Sequence, residues 1–204
     1  MRPNSINRFI RDEGASGTVE FVAISGFFLV LAFIVMEIAL ATFWWQTAEV
    51  AAQIGARYAV VWDPAVTSTS LPTTNVLNGS GSYGQSCSIS AGSTNDPCVQ
   101  FSAVSCAGGS GGSCNSTAFN AVVAKMQTVF GAVQASNVTI TYSYAGLGFV
   151  GGPIVPTVTV QVSGVPFVSG FADLLAAFFG TSALTTVPTM SATFTGEDLS
   201  SAGA

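Results

Sequence analysis

Two acids and four cysteines are the residues of this chain whose type and position could carry chemistry. Glu20 stands where an apolar run begins, and Glu37 is the single ionisable residue between Phe21 and Trp45. An ionised acid at a bilayer centre costs about 2.5–3.5 kcal/mol on insertion scales, so an acid kept there usually serves a function. Glu37 can turn outward to the headgroups, take up a proton, or hydrogen-bond to a neighbouring helix; the sequence leaves all three open. For Glu20, at the edge, simply reaching the headgroups is the alternative to pairing with a charge on another subunit. The acids beyond the run, Glu49, Asp63, Asp96, Asp173, Glu197 and Asp198, are scattered. The chain has no histidine, the commonest general base, and Lys125 falls on a helix that reads as structural. No enzyme and no cofactor are expected.

Cys87, Cys98, Cys106 and Cys114 contain no C-x-x-C pair, and their gaps miss the usual zinc spacings. The expectation is disulfides in an oxidising compartment, and no metal. Three pairings are possible. The flexible GGSGG between Cys106 and Cys114 favours a local bridge there, and with it Cys87–Cys98. Gly146–Gly151 fits G-x-G-x-x-G behind a strand-like stretch. Phosphate binding by that pattern needs a following helix N-terminus, whereas Gly152-Pro153 and another strand follow here. A glycine-rich hairpin loop is expected.

These residues must be positioned by a long helix and a small domain. The run Phe21–Trp45 exceeds the ~20 apolar residues a spanning helix needs and the ~7–15 of a secretory h-region, which makes the lipid bilayer one of the partners. Arg2, Arg8 and Arg11 precede it, so the positive-inside rule puts that end in the cytoplasm. The cysteines then lie outside, where disulfides persist. Only 7% of the 204 residues are charged and the net charge is −5. Past Arg57 the only base is Lys125, so no basic patch exists there for nucleic acid.

Residues 1–15 read as a short cytoplasmic leader. Residues 16–62 read as one helix, since proline is absent from Phe21 to Trp62 and Asp63-Pro64 ends it. Around and beyond Trp45, Phe43, Thr47, Val50, Ala51, Ile54, Tyr58 and Val61 form one face and Gln46, Glu49, Gln53 and Arg57 another. The first face is expected to cover a soluble domain. Residues 63–116 read as an irregular segment held by disulfides. Within 117–204, residues 117–135 read as a helix capped by Ser116 or Thr117, with Phe119, Val122, Val123, Met126, Val129, Phe130 and Val133 on its apolar face. Period-two alternation marks strands at 138–144, 157–163 and 189–195, the first two paired as an antiparallel hairpin. Val168–Gly180 reads as a further short helix capped by Ser169 and ended by Gly180. The fold class is α+β: a long N-terminal helix packed on a small antiparallel sheet, with two further short helices.

Arg11-Asp12-Glu13-Gly14-Ala15-Ser16-Gly17-Thr18-Val19-Glu20-Phe21, the intramembrane Met36-Glu37, and Ala52-Gln53-Ile54-Gly55-Ala56-Arg57-Tyr58-Ala59 together resemble the TadE/TadG-like pseudopilins of the Tad (tight adherence) pilus machinery, a type IV pilin branch. The resemblance covers about residues 8–60. It implies a single-pass protein of the bacterial inner membrane with a periplasmic domain, a minor pilin that helps initiate or tip an adhesive pilus. Glu20, Phe21 and Glu37 would belong to its assembly helix. The implied partners are other pilins or pseudopilins, a prepilin peptidase and the inner-membrane pilus platform. Counting back from Glu20 as the fifth mature residue puts the cut between Ala15 and Ser16. A cut between Gly14 and Ala15 makes Glu20 sixth. A different expectation is a single-span anchored binding or sensor domain that is neither processed nor assembled.

Overall fold

The computed structural model describes residues 16–79, 81–87, 96–167, 186–196 and 199. They fall into two compact units, residues 16–42 and residues 43–167 with 186–199. The fold is α+β. Helix α1, Ser16–Ala59, has 44 residues, about 66 Å at 1.5 Å per residue. It stops three residues before Trp62, the expected end. Val61 N–H bonds to Tyr58 O at 3.3 Å, the tight i→i−3 geometry common at helix ends, and residues 60–62 form a turn.

The second unit is built on an antiparallel sheet of order β1-β2-β3-β4, with β1 Val104–Ala107, β2 Val138–Leu147, β3 Val155–Val162 and β4 Met190–Thr195. The three alternating stretches are β2, β3 and β4, and β2 pairs with β3 as the expected hairpin, Ile140 opposite Val160. One face carries Val138, Ile140, Tyr142, Val158, Val160, Val162, Met190 and Ala192 into the core. Strand β1 was not expected. It is four residues inside a Gly/Ser-rich segment, too short for alternation to register, and it exists through pairing with β2, Val104 opposite Tyr142.

Helix α2, Ser116–Gln127, supplies Phe119, Val122, Val123 and Met126 to the same core. Its cap is Asn115, whose side chain accepts from Ala118 N–H, rather than Ser116 or Thr117. It ends eight residues before Ala135. Gln127 Nε2 donates to Val133 O at 2.8 Å and folds the chain back. Phe130 and Val133 still reach the core, but from a turn, while Val129 is exposed.

The outer half of α1 buries a face that overlaps the expected one, with Ala51 buried and Thr47, Ile54 and Tyr58 half-buried, but that is turned towards the alanines. Ala48, Ala51, Ala52, Ala56 and Ala59 are buried, whereas Phe43, Val50 and Val61 are exposed. Small side chains win because α2 comes close: a Cβ on Gly55 would lie 2.6 Å from Met126 Sδ. Trp44 closes one end, edge-on to Phe130 at 5.4 Å and Phe167 at 5.7 Å between ring centroids. Glu49, Gln53 and Arg57 face outward as expected.

The disulfides are Cys87–Cys98 and Cys106–Cys114. The described residues of segment 63–116 are therefore tied down. Asp96 is buried, and its carboxylate accepts from Cys98 N–H, Gln100 Nε2 and Tyr144 OH. Gly146–Gly151 spans the last two residues of β2 and the start of the hairpin connection to β3. Gly148 has φ +90°, and a Cβ there would lie 2.8 Å from Asn75 Nδ2. That loop is held by Cys87 N–H to Gly148 O and Asn75 N–H to Gly152 O, so its glycines serve close backbone approach. The leader 1–15, the helix expected at 168–180 and most of the tail from Glu197 lie outside the described residues.

The buried Tyr142 OH accepts a hydrogen bond from Ala65 N–H at 3.0 Å. Burial pushes this phenol up to about 12, partly opposed by that bond. Tyr144 is likewise pushed up to about 12, by burial first and then by its bond to the Asp96 carboxylate and that group's charge. Unfolded tyrosines titrate near ~10. Both phenols therefore favour the fold fully below pH ~10, and that contribution disappears as pH rises from ~10 to ~12. Denaturant melts across pH 8–12 should show stability falling through this window. Tyr142→Phe should lower stability by about 1–3 kcal/mol at pH 8, since it strands a buried N–H, and should make the alkaline loss shallower.

Candidate membrane-embedded assembly helix

From Gly17 onward α1 is long and apolar enough to cross a membrane, with a mean hydropathy of 2.5. Length and composition make it a candidate span, and the two disulfides fit an oxidising, extracytoplasmic setting for the second unit. Within residues 16–42 the apolar side chains are mostly exposed: Phe21 is 71% exposed, and Val22, Ile24, Phe27, Phe28 and Val35 each more than 60%. Gly17 and Gly26 have open space where a Cβ would stand. Such small positions let a second helix approach closely in lipid.

Of the residues singled out from the sequence, Ser16 opens α1, while Gly14 and Ala15 lie outside the described residues. Glu20 is exposed, one turn into the helix, next to Phe21. Glu37 is different. It is only 9% exposed and lies in a half-covered stripe with Phe33, Ile34, Ala41 and Trp44. Both its carboxylate oxygens are buried without a hydrogen-bond partner. The hydroxyls along the same helix are satisfied locally: Ser25 bonds to Val22 O, Thr42 to Ile38 O and Ala39 O, and Thr47 to Phe43 O. Glu37 is the one described residue with buried, unpaired side-chain oxygens.

The four cysteines form their bridges in the second unit, where the Asp96 carboxylate accepts from Cys98 N–H. Among the described residues no cluster of three or more His, Cys, Asp or Glu could hold a metal. The second unit also contains a cleft of about 780 Å³, walled by residues 63–73, by Cys114–Ser116, by Pro153-Ile154 and by Leu199. Sequence reasoning missed it, because its walls come from four separated stretches that no local pattern links. Comparison of the chain with protein-family models, curated proteins and solved structures returned no match.

An unpaired buried polar group costs about 1–3 kcal/mol. Glu37→Leu should therefore raise the melting temperature of the detergent-solubilised chain, and Glu37→Gln should do so less, because it keeps a polar amide in the same place. Thermal melts of the three proteins in one detergent check this. A lower melting temperature for Glu37→Leu would mean that the carboxyl has a stabilising partner.

Proposed function

We propose that this chain is a non-enzymatic minor pilin or pseudopilin of a tight-adherence type pilus, anchored by α1 and assembled through it. The carrying observation is the unbroken 44-residue helix, with Glu20 exposed in its second turn and an apolar surface around it. An anchor needs only about 20 apolar residues. A helix twice that length supplies both a lipid-facing half and a half that is built into the disulfide-bonded head. On this reading the chain crosses the bacterial inner membrane once, with its N-terminus cytoplasmic and its head periplasmic. Its partners are other pilins, a prepilin peptidase, which removes the leader beside Ala15, and the pilus platform.

The spacing of Glu20 has a physical rationale. Cleavage creates an ammonium at the membrane edge about one helical turn before Glu20. The Glu20 carboxylate of one subunit pairs with the ammonium of the next. At an effective dielectric of ~20 such a contact at ~4 Å gains about 4 kcal/mol, partly offset by desolvation, and it is gained only when subunits pack. The cleft in the head favours a second reading, a membrane-anchored binding module that is never processed.

N-terminal sequencing and intact mass of membrane-extracted protein, from cells with and without prepilin peptidase, separate the two readings. The assembly reading expects a new N-terminus at Ser16, or at Ala15 if the cut follows Gly14, only when the peptidase is present. An intact Met1 under both conditions would remove its main support. Glu20→Ala should reach the membrane at normal levels yet be lost from pilin complexes; normal co-purification would refute the charge pairing.

A further inference from the structure

The cleft of the second unit has an unusual balance of groups. Ser68, Thr73 and Ser116 line it, and their hydroxyls have no hydrogen bond among the described residues, whereas the hydroxyl of Thr67, also in the lining, bonds to Thr69 and Ser70. Asn115 also lines it, with its Oδ1 committed to capping α2 and its Nδ2 donor unpaired. Leu71, Pro72 and Pro153 form aliphatic wall between these groups. The volume, about 780 Å³, lies in the ~300–1,000 Å³ range of small-molecule sites.

Charge narrows the choice of ligand. No Lys or Arg lines the cleft, and the chain has no histidine and only Lys125 beyond Arg57. Phosphates and carboxylates would enter without a counter-charge. Among the described residues Asp63 is the one acid of the lining, and it already has a partner within the chain, so it offers little to a cation. A wholly apolar ligand would desolvate the hydroxyls and the amide without replacing their hydrogen bonds with water. What satisfies the set is a neutral ligand whose own hydroxyls donate and accept and whose C–H faces rest on the aliphatic wall.

We propose that this cleft is a binding site for a neutral saccharide. The site lies in the head, so the inference does not depend on whether the leader is cut. The test uses the full chain in a detergent without a sugar headgroup. Maltotriose, cellotriose and chitotriose are titrated by calorimetry and by saturation-transfer NMR, with trilysine and citrate as charged probes. Two variants localise the site. Thr73→Arg projects bulk and charge into the cleft from an exposed position. Asn115→Asp keeps the capping oxygen and removes the amide donor. At least one trisaccharide should bind saturably at about millimolar Kd or tighter. Thr73→Arg should weaken it at least tenfold and Asn115→Asp severalfold, with melting temperatures unchanged. The proposal is overturned if no trisaccharide saturates by about 10 mM, if binding survives both variants, or if trilysine or citrate binds there instead of sugars.

Discussion

The close approach of α1 to α2 at Gly55 and Met126 sets the packing of the helical layer in the second unit. Gly55 sits against Met126 with no room for a Cβ, and five buried alanines extend the same face. Alanine loses no side-chain entropy on burial, so this surface gains packing at little ordering cost. Larger residues would give more apolar area but would hold the helices apart, away from Val122 and Met126 beneath. The sheet then has a fixed floor. Ile140, Val158 and Val160 are completely buried against this layer. Trp44 sits where the packed half begins, and its edge-on contacts with Phe130 and Phe167 fill the space that an alanine would leave open.

A second constraint holds the part of the chain with least apolar periodicity. Among its described residues, segment 63–116 forms one short strand, so its backbone needs partners elsewhere. The bridges close loops of 11 and 8 residues in sequence separation, and disulfides of this kind typically contribute about 2–4 kcal/mol each. Asp96 does comparable work without covalent bonds. It ties the Cys98 backbone, Gln100 and β2 through Tyr144 into one point. The glycine-rich hairpin loop then fits between Asn75 and Gln85–Cys87 by backbone bonds, with the Asn75 side-chain amide donating to Pro153 O. Here the glycines matter for what they lack, since a side chain at Gly148 would displace Asn75.

The elements legible in the sequence were those with a long, regular period. The apolar helix and the strands β2, β3 and β4 announce themselves because each presents one face to one environment over many residues. The strand β1 and the cleft were not legible, because both arise from pairing between stretches far apart in the chain. The turn of the buried face of α1 has another cause. Hydrophobicity ranks Phe43, Val50 and Val61 above alanine, but in a tight helix contact size outweighs hydrophobicity. The end of α2 was missed for a similar reason: Phe130 and Val133 keep the helical period while Gln127 bonds across a turn, so apolar spacing alone could not tell helix from turn. The acids at positions 20 and 37 were visible as anomalies, yet nothing in the sequence told an exposed Glu20 from a covered Glu37.

Comparing the two buried acids separates what the fold requires from what it does not. Asp96 is 1% exposed and accepts from three donors; its burial is part of the structure that holds segment 63–116. Glu37 is nearly as covered, yet neither oxygen is paired. Native proteins satisfy nearly all buried polar groups, and leucine at Glu37 would bury as well without that cost. Among the described residues, therefore, nothing in the fold gives a reason for a carboxyl at position 37. Ser25, Thr42 and Thr47 show that this helix satisfies its own polar groups where a backbone carbonyl is in reach. A carboxylate cannot use that device, because it has no proton to donate to a carbonyl. It needs a proton or a donor from outside its own helix. On the proposed assembly reading, such donors come within reach when subunits pack.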